Sequence, residues 1–286
     1  MTASQNQNNS NKLSNLDLYS DGSVDSIINK LNKYGITLVK KYVPDSSISN
    51  LIDEFKFILS NNNLSCNLIR QNHPTNENGI MQTIDPICAQ HEHDLPMIAS
   101  LFRNEFMNNI CNEYYRPHEF TLNPEVLLTH LRESKNRILP WHFDRLQTLK
   151  FWIYLTDTNE SNGAMEYAPG THWEGRYRSQ FHLSVGDLIR EIPNDIPEDR
   201  IINGRIIECQ AGDLMIFDPD GFHRGGVISP GNERLALRGD SFPNLGRKHG
   251  DTEGPIVRVL GERTEDKAIN RNGLSGTDKY KIITNK

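Results

Sequence analysis

The sequence predicts a mainly β fold with flanking helices, an antiparallel double-sheet barrel whose helices pack outside it. Three observations predict it. Helical spacing of apolar residues is confined to the part of the chain before Phe120. From Phe120 onward the chain divides into short strand-like runs. Turn signals separate those runs, at Asn162-Gly163, Pro169-Gly170, Gly212-Asp213 and Pro219-Asp220-Gly221. Many short strands after a helical start are the pattern of a two-sheet barrel.

The elements follow in order. Met1 to Leu16 is rich in Asn, Ser and Gln and lacks the apolar core of a secretory signal, so residues 1–20 are expected to be a disordered lead-in. Val24, Ile27, Ile28 and Leu31 repeat at helical spacing behind a Ser23 N-cap. Gly35-Ile36-Thr37-Leu38-Val39 reads as a strand, being rich in β-branched residues. Pro44 and Asp45 open a second helix with Ile48, Leu51, Ile52, Phe55 and Ile58 on one stripe. Residues 67–95 show no clear period and read as a loop over a site, and the run His91-Glu92-His93-Asp94 within it reads as solvated. Pro96 to Tyr115 is helical again. Strands are expected at Glu125–Arg132, Leu149–Leu155, Met165–Ala168, Arg205–Cys209, Leu214–Phe217 and Arg234–Phe242. Residues 21–249 form the domain, and 250–286 are a charged, Gly-rich tail.

Composition narrows the function. A chain of 286 residues suits one large domain or one domain with a small appendage. A formal net charge of -6 argues against a general nucleic-acid or anionic-membrane binder. The absence of a run of about 18 apolar residues argues against a spanning helix. Cys66, Cys88, Cys111 and Cys209 are scattered and form no C-x-x-C pair, which fits free thiols in a cytoplasmic protein.

The chemistry lies in Trp141-His142-Phe143-Asp144. In a strand, residues two apart share a face, so His142 and Asp144 present an imidazole and a carboxylate side by side. His223, which follows a strand, can bring a second imidazole against them. Two imidazoles and a carboxylate on one face of a metal leave the other positions open, as Fe(II) oxygen chemistry requires. With ten His and 37 acidic residues, an isolated H-x-D is expected by chance, so its surroundings carry the case. Arg234, eleven residues past His223, opens the alternating run Arg234-Leu235-Ala236-Leu237-Arg238 and offers a fork for a carboxylate; Arg238 shares its face.

Taken together, Trp141-His142-Phe143-Asp144, Tyr154-Leu155-Thr156-Asp157, Asn162-Gly163, Pro169-Gly170-Thr171-His172, Gly212-Asp213 and the His223/Arg234 pair resemble the phytanoyl-CoA dioxygenase family, which includes ectoine hydroxylase. The resemblance covers Ser23 to Pro243. It implies a double-stranded β-helix core (jelly roll, cupin-like) and the use of Fe(2+), 2-oxoglutarate and O2. It implies that His142, Asp144 and His223 bind the iron and that Arg234 binds the distal carboxylate of 2-oxoglutarate. Lys150 lies where related enzymes place a polar group near the cosubstrate, on the expected inward face with Trp152 and Tyr154. Thr129 stands on the strand where the family often has Gln and Asn. Because Asp144 is a carboxylate, no ligand position is vacated for a halide, and hydroxylation of an aliphatic carbon with release of succinate and CO2 is expected over halogenation; desaturation or ring closure would use the same ligands. Arg145 and Arg224 directly follow metal ligands, and Arg176 and Arg178 follow Trp173. With Trp152, Arg145, Arg224 and Arg176 are expected to contact a small anionic substrate. The competing readings are a cupin-like metalloenzyme that does not use 2-oxoglutarate and a non-catalytic small-ligand-binding barrel.

Overall fold

A computed structural model describes residues 14–73, 76–102, 104–122, 125–134, 137, 139–144, 148–184 and 195–243, together with the short pairs 262–263 and 280–281. The chain opens with a 3-10 turn, Asn15–Leu18, and strand β1 (Tyr19–Ser20). Helix α1 (Val24–Tyr34) starts at Ser23, whose side chain accepts from the Ser26 amide at 3.3 Å. It ends at Gly35, where φ is 74° and the amide donates to Leu31 O at 2.7 Å. Then come β2 (Ile36–Val39), α2 (Asp45–Ser60), β3 (Asn67–Asn72), β4 (Ile80–Ile84), α3 (Pro86–Glu92), α4 (Pro96–Leu101), α5 (Glu105–Tyr115), β5 (Phe120–Leu122), β6 (Val126–Arg132), β7 (Leu149–Tyr154) and β8 (Met165–Tyr167). Helix α6 (His172–Ser184) precedes β9 (Arg205–Ile207), β10 (Leu214–Phe217), β11 (His223–Arg224) and β12 (Glu233–Pro243). Two-residue strands β13 (Glu262–Arg263) and β14 (Tyr280–Lys281) pair with each other.

The large sheet runs β1-β2-β10-β7-β12-β6-β4-β3, with β5 on the far end of β12. A smaller sheet runs β11-β8-β9, and His142 pairs onto the free side of β11 through an isolated bridge to His223. Eight strands in chain order, counting the 141–144 segment as the second, therefore divide as first-eighth-third-sixth in the large sheet and second-seventh-fourth-fifth in the small one. This is a jelly roll, a double-stranded β-helix whose two sheets stay separate. One face of the large sheet carries Leu128, Leu149, Phe151, Ile153, Leu235 and Leu237, buried against Ile27, Leu31, Leu51, Phe55, Ile58 and Ile110 of the helices. Each such side chain contributes about 1.5–3 kcal/mol on leaving water. The other face turns toward the small sheet and holds the polar residues of the site.

Three expectations need correction. Residues 14–20 belong to the fold: Leu18 is fully buried and β1 lies parallel to β2, so the structured chain starts before residue 21. Residues 67–95 are a hairpin of β3 and β4 followed by α3, not an irregular loop. Strand β3 reads Asn-Leu-Ile-Arg-Gln-Asn, a polar run whose strand state comes from pairing with its hairpin neighbour β4 rather than from a hydrophobic period. The Pro96–Tyr115 helix is two helices, because Asn104 stops the first and N-caps the second, accepting from the Met107 amide at 3.0 Å. Within the described residues no helix is long and apolar enough to cross a membrane.

Candidate active site

Two backbone arrangements bring the site together. His142 and His223 exchange both amide-to-carbonyl hydrogen bonds, at 3.0 and 2.9 Å, so their side chains emerge side by side with ring centroids 4.4 Å apart. The Asp144 amide donates to Pro219 O at 2.9 Å, which ties the carboxylate to the turn that delivers His223. His142 Nε2 lies 3.5 Å and His223 Nε2 3.8 Å from Asp144 Oδ1. The three ligand atoms all fall within 4.8 Å of one another, and all three side chains are buried.

The donor set fits a divalent metal. Nδ1 of His142 lies 2.9 Å from Pro140 O, and Nδ1 of His223 lies 2.8 Å from Gly221 O. Those carbonyls take the Nδ1 protons, so each Nε2 keeps its lone pair for the common focus. Burial, with His142 beside it, depresses His223 to about 3, and burial likewise lowers His142, so both rings are neutral at physiological pH. Burial alone would raise Asp144, but the Lys150 ammonium outweighs it and holds its carboxyl below the usual carboxylate range. Asp144 Oδ2 accepts from Lys150 Nζ, while Oδ1 is buried without a hydrogen-bond partner and faces the two Nε2 atoms. An orphaned carboxylate oxygen between two imidazole lone pairs is a place for a cation.

Lys150, Trp152 and Tyr154 on β7 stand in register with Asp240, Arg238 and Ala236 on β12, all on the face opposite the helices. Arg234 follows the same parity and is buried. It donates to Gly163 O and lies 5.9 Å from the Trp152 and Tyr154 rings. Among the described residues no carboxylate pairs with it, and its Nε has no partner. Gly163 has φ 80°, and a Cβ there would lie 2.6 Å from Ile228, so only glycine gives Arg234 this carbonyl. Arg238 lies 5.9 Å from the Trp152 ring, with Nη2 3.3 Å from Asp240 Oδ2 and Nε unpartnered. Thr129 sits opposite Ala236 on the same face and donates to its carbonyl at 3.4 Å. His73 feels both arginines and, chiefly through burial, falls to about 4.

The structure therefore brings together His142, Asp144, His223, Lys150, Trp152, Thr129, Arg234 and Arg238. Lys150 places its ammonium on the Asp144 carboxylate. Two of the arginines expected at a substrate are already paired. Arg224 bonds Glu166 (3.0 and 2.7 Å) and Glu198 (2.7 and 3.1 Å) and lies over Trp141, and Arg176 bonds Asp218 and the Tyr114 hydroxyl. Both guanidiniums fix neighbouring segments, because a carboxylate lay within reach that sequence adjacency could not reveal. Arg145 lies outside the described residues. Sequence reasoning missed Asp218, whose carboxylate accepts from the Asp220 amide (2.9 Å), Tyr114 and Arg176 and so braces the turn before His223. The Asp-Pro-Asp-Gly string was its available signal. Asp240 and His73 were missed as well; Asp240 shares the Arg238 alternation, whereas His73 carried no local signal.

A family model described as phytanoyl-CoA dioxygenase (PhyH) matches residues 31–235. Among solved structures, the non-heme alpha ketoglutarate dependent epimerase SnoN from nogalamycin biosynthesis aligns at 16% identity with a TM-score of 0.54, covering 77% of this chain and 82% of its own. SnoN in complex with Fe3+, alpha ketoglutarate and nogalamycin RO aligns at 14% identity and TM-score 0.53, covering 81% and 92%. HygX from Streptomyces hygroscopicus, with nickel, 2-oxoglutarate and hygromycin B bound, aligns at 12% and TM-score 0.51, covering 75% and 85%. These likenesses share the jelly-roll fold. No curated protein matches the chain by sequence.

Proposed function

The chain belongs to the phytanoyl-CoA dioxygenase family, non-haem iron enzymes dependent on 2-oxoglutarate, and from that premise we propose that it hydroxylates an aliphatic carbon of a small anionic molecule. The observation that carries the reading is the opposition of two sites between the two sheets, linked by the Lys150–Asp144 ion pair. His142, Asp144 and His223 converge their ligand atoms, and Arg234 waits, buried and without a carboxylate, beyond Trp152 and Tyr154. Ferrous iron bound at the first site would, with 2-oxoglutarate and O2, supply the oxidant and leave succinate and CO2. The chain's own residues orient and shield. Arg234 receives the distal carboxylate of the keto diacid, Lys150 keeps Asp144 ionised and turned, and the rings of Phe217 and Tyr167, packed on His223, keep water from the metal ligands.

Charge supports an anionic substrate. The inward face bears three cations, Lys150, Arg234 and Arg238, against two carboxylates, Asp144 and Asp240. A ferrous ion and doubly charged 2-oxoglutarate cancel each other, so one positive charge remains. Arg238 is the side chain that can turn this charge toward a substrate, because it holds Asp240 through one contact at 3.3 Å and its Nε is unsatisfied. A substrate carboxylate, phosphate or phosphonate would complete it.

Anaerobic addition of Fe(II) and 2-oxoglutarate tests the core reading: a weak visible charge-transfer band is expected, absent in His223→Ala, and a band that persists unchanged there would refute the ligand assignment. Arg234→Gln removes charge-assisted hydrogen bonds worth about 1.5–3 kcal/mol, so the 2-oxoglutarate Kd should rise about 10- to 150-fold. In a succinate-release screen, Arg238→Gln should lose its advantage for anionic over neutral substrate analogues. Equal turnover of both by the parent would remove the anionic substrate.

A further inference from the structure

The α3 end of the large sheet carries a second cluster of ligating side chains. Cys88 and Glu92 lie one helical turn apart on α3, and His93 follows as its C-cap. Their ligand atoms all fall within 4.8 Å of one another. Ser65, in the turn before β3, sits at their focus. Its hydroxyl donates to Glu92 Oε2, lies 2.7 Å from His93 Nε2 and accepts from Cys88 Sγ at 3.6 Å. The Ser65 amide lies 3.1 Å from the same imidazole nitrogen. Cys66, the next residue, is fully buried, and its thiol is pushed up to about 11 by burial and then by the charge of Cys88. Polar atoms from two distant stretches of chain thus converge on one hydroxyl, at a partly exposed place that a solvated metal ion can reach.

We propose that Cys88, Glu92 and His93 form a second metal site, specific for a thiophilic divalent cation of the Zn2+ type. A thiolate, an imidazole and a carboxylate form a mixed soft and borderline donor set that suits Zn2+ better than the oxygen-loving Mg2+ or Mn2+. Binding deprotonates Cys88 and releases that proton to solvent. The two negative charges of Cys88 and Glu92 then balance the ion, and His93 donates as neutral imidazole. The fourth position falls to solvent or the Ser65 hydroxyl. With Ser65 in the fourth position the ion would also tie α3 to the turn before β3, away from the facial triad, which contains no sulfur.

Sulfur makes the site separable from the first. Cobalt(II) titrated into the full chain should give the near-ultraviolet thiolate-to-cobalt charge-transfer band. The band should persist in His223→Ala, vanish in Cys88→Ser, and require at least tenfold more cobalt in Glu92→Gln or His93→Ala. Zn2+ should displace the cobalt and bleach the band. No thiolate band in the parent, or one that survives Cys88→Ser, would overturn the assignment while leaving the iron site untouched.

Discussion

Lys150 shows how one residue can decide what a metal ligand offers. Its ammonium holds Asp144 Oδ2, so the carboxylate presents Oδ1 alone to the two imidazoles. Two effects oppose each other when Lys150 is removed. A cation near the metal disappears, which favours binding, and the carboxylate loses its fixed orientation in a dry site, which disfavours it. Orientation should win, because outer-shell partners of metal ligands are worth about 10- to 100-fold in affinity. Lys150→Met should therefore weaken Mn2+ binding by at least tenfold, measured without 2-oxoglutarate so that no cosubstrate contact enters, and Lys150→Arg should restore most of it. Unchanged affinity in Lys150→Met would make the ion pair a bystander. This role was not legible in the sequence: alternation put Lys150 on the inward face, but only the approach of the 141–144 segment to β7 selects Asp144 as its partner.

The turn between β10 and β11 sets the direction of His223. Asp218 gathers the Asp220 amide, Tyr114 and Arg176, and the Tyr167 hydroxyl lies 3.1 Å from Gly35 O and 3.0 Å from Asp218 O beneath the turn. A Cβ on Gly221 would fall 1.8 Å from that hydroxyl. Gly221→Ala should cost about 1–3 kcal/mol in denaturant unfolding by overpacking. It should also weaken metal binding, since the turn must lift away from Tyr167. Tyr167→Phe in the same chain should recover part of both losses; wild-type stability in the single variant would show that the turn yields freely. Elements such as this were half readable. Glycine and proline marked the turns, and strands β6, β7, β8, β9, β10 and β12 fall within a residue or two of their expected bounds, whereas the two-residue β11 was not expected. What stayed hidden depended on pairing partners rather than on local pattern. Strand β3, polar along its length, is held by pairing with β4. Likewise His142, Asp144, His223 and Arg234 were found by spacing, whereas the acidic partners that occupy Arg176 and Arg224 were not.

At the scale of the molecule, stability depends on protons and on the metal. His172 opens α6 against Gly35, 1% exposed, and burial depresses it from 6.5 to about 4. The folded state refuses a proton that the unfolded chain accepts, so its contribution is intact above pH 6.5 and lost as pH falls toward 4. The full loss is about 3 kcal/mol for a shift of this size, and His172→Gln should remove its share of the slope between those limits, the remainder coming from His73, His142 and His223. Metal binding acts in the opposite sense. Its ligands come from the 141–144 segment and from β11, and the folded chain alone brings them to one focus. At a hundredfold excess over Kd, a metal that ignores the unfolded chain adds about 2.7 kcal/mol, which for a domain of this size raises Tm by about 5–10 °C. Mn2+ is the ion to use, because its preference for oxygen and nitrogen keeps it off the cysteine cluster. The parent should gain that shift and lose it to EDTA. His223→Ala should show none, although its unliganded fold remains stable. A Mn2+ shift that survives in His223→Ala would move the ion elsewhere and detach the stability of the jelly roll from its facial triad.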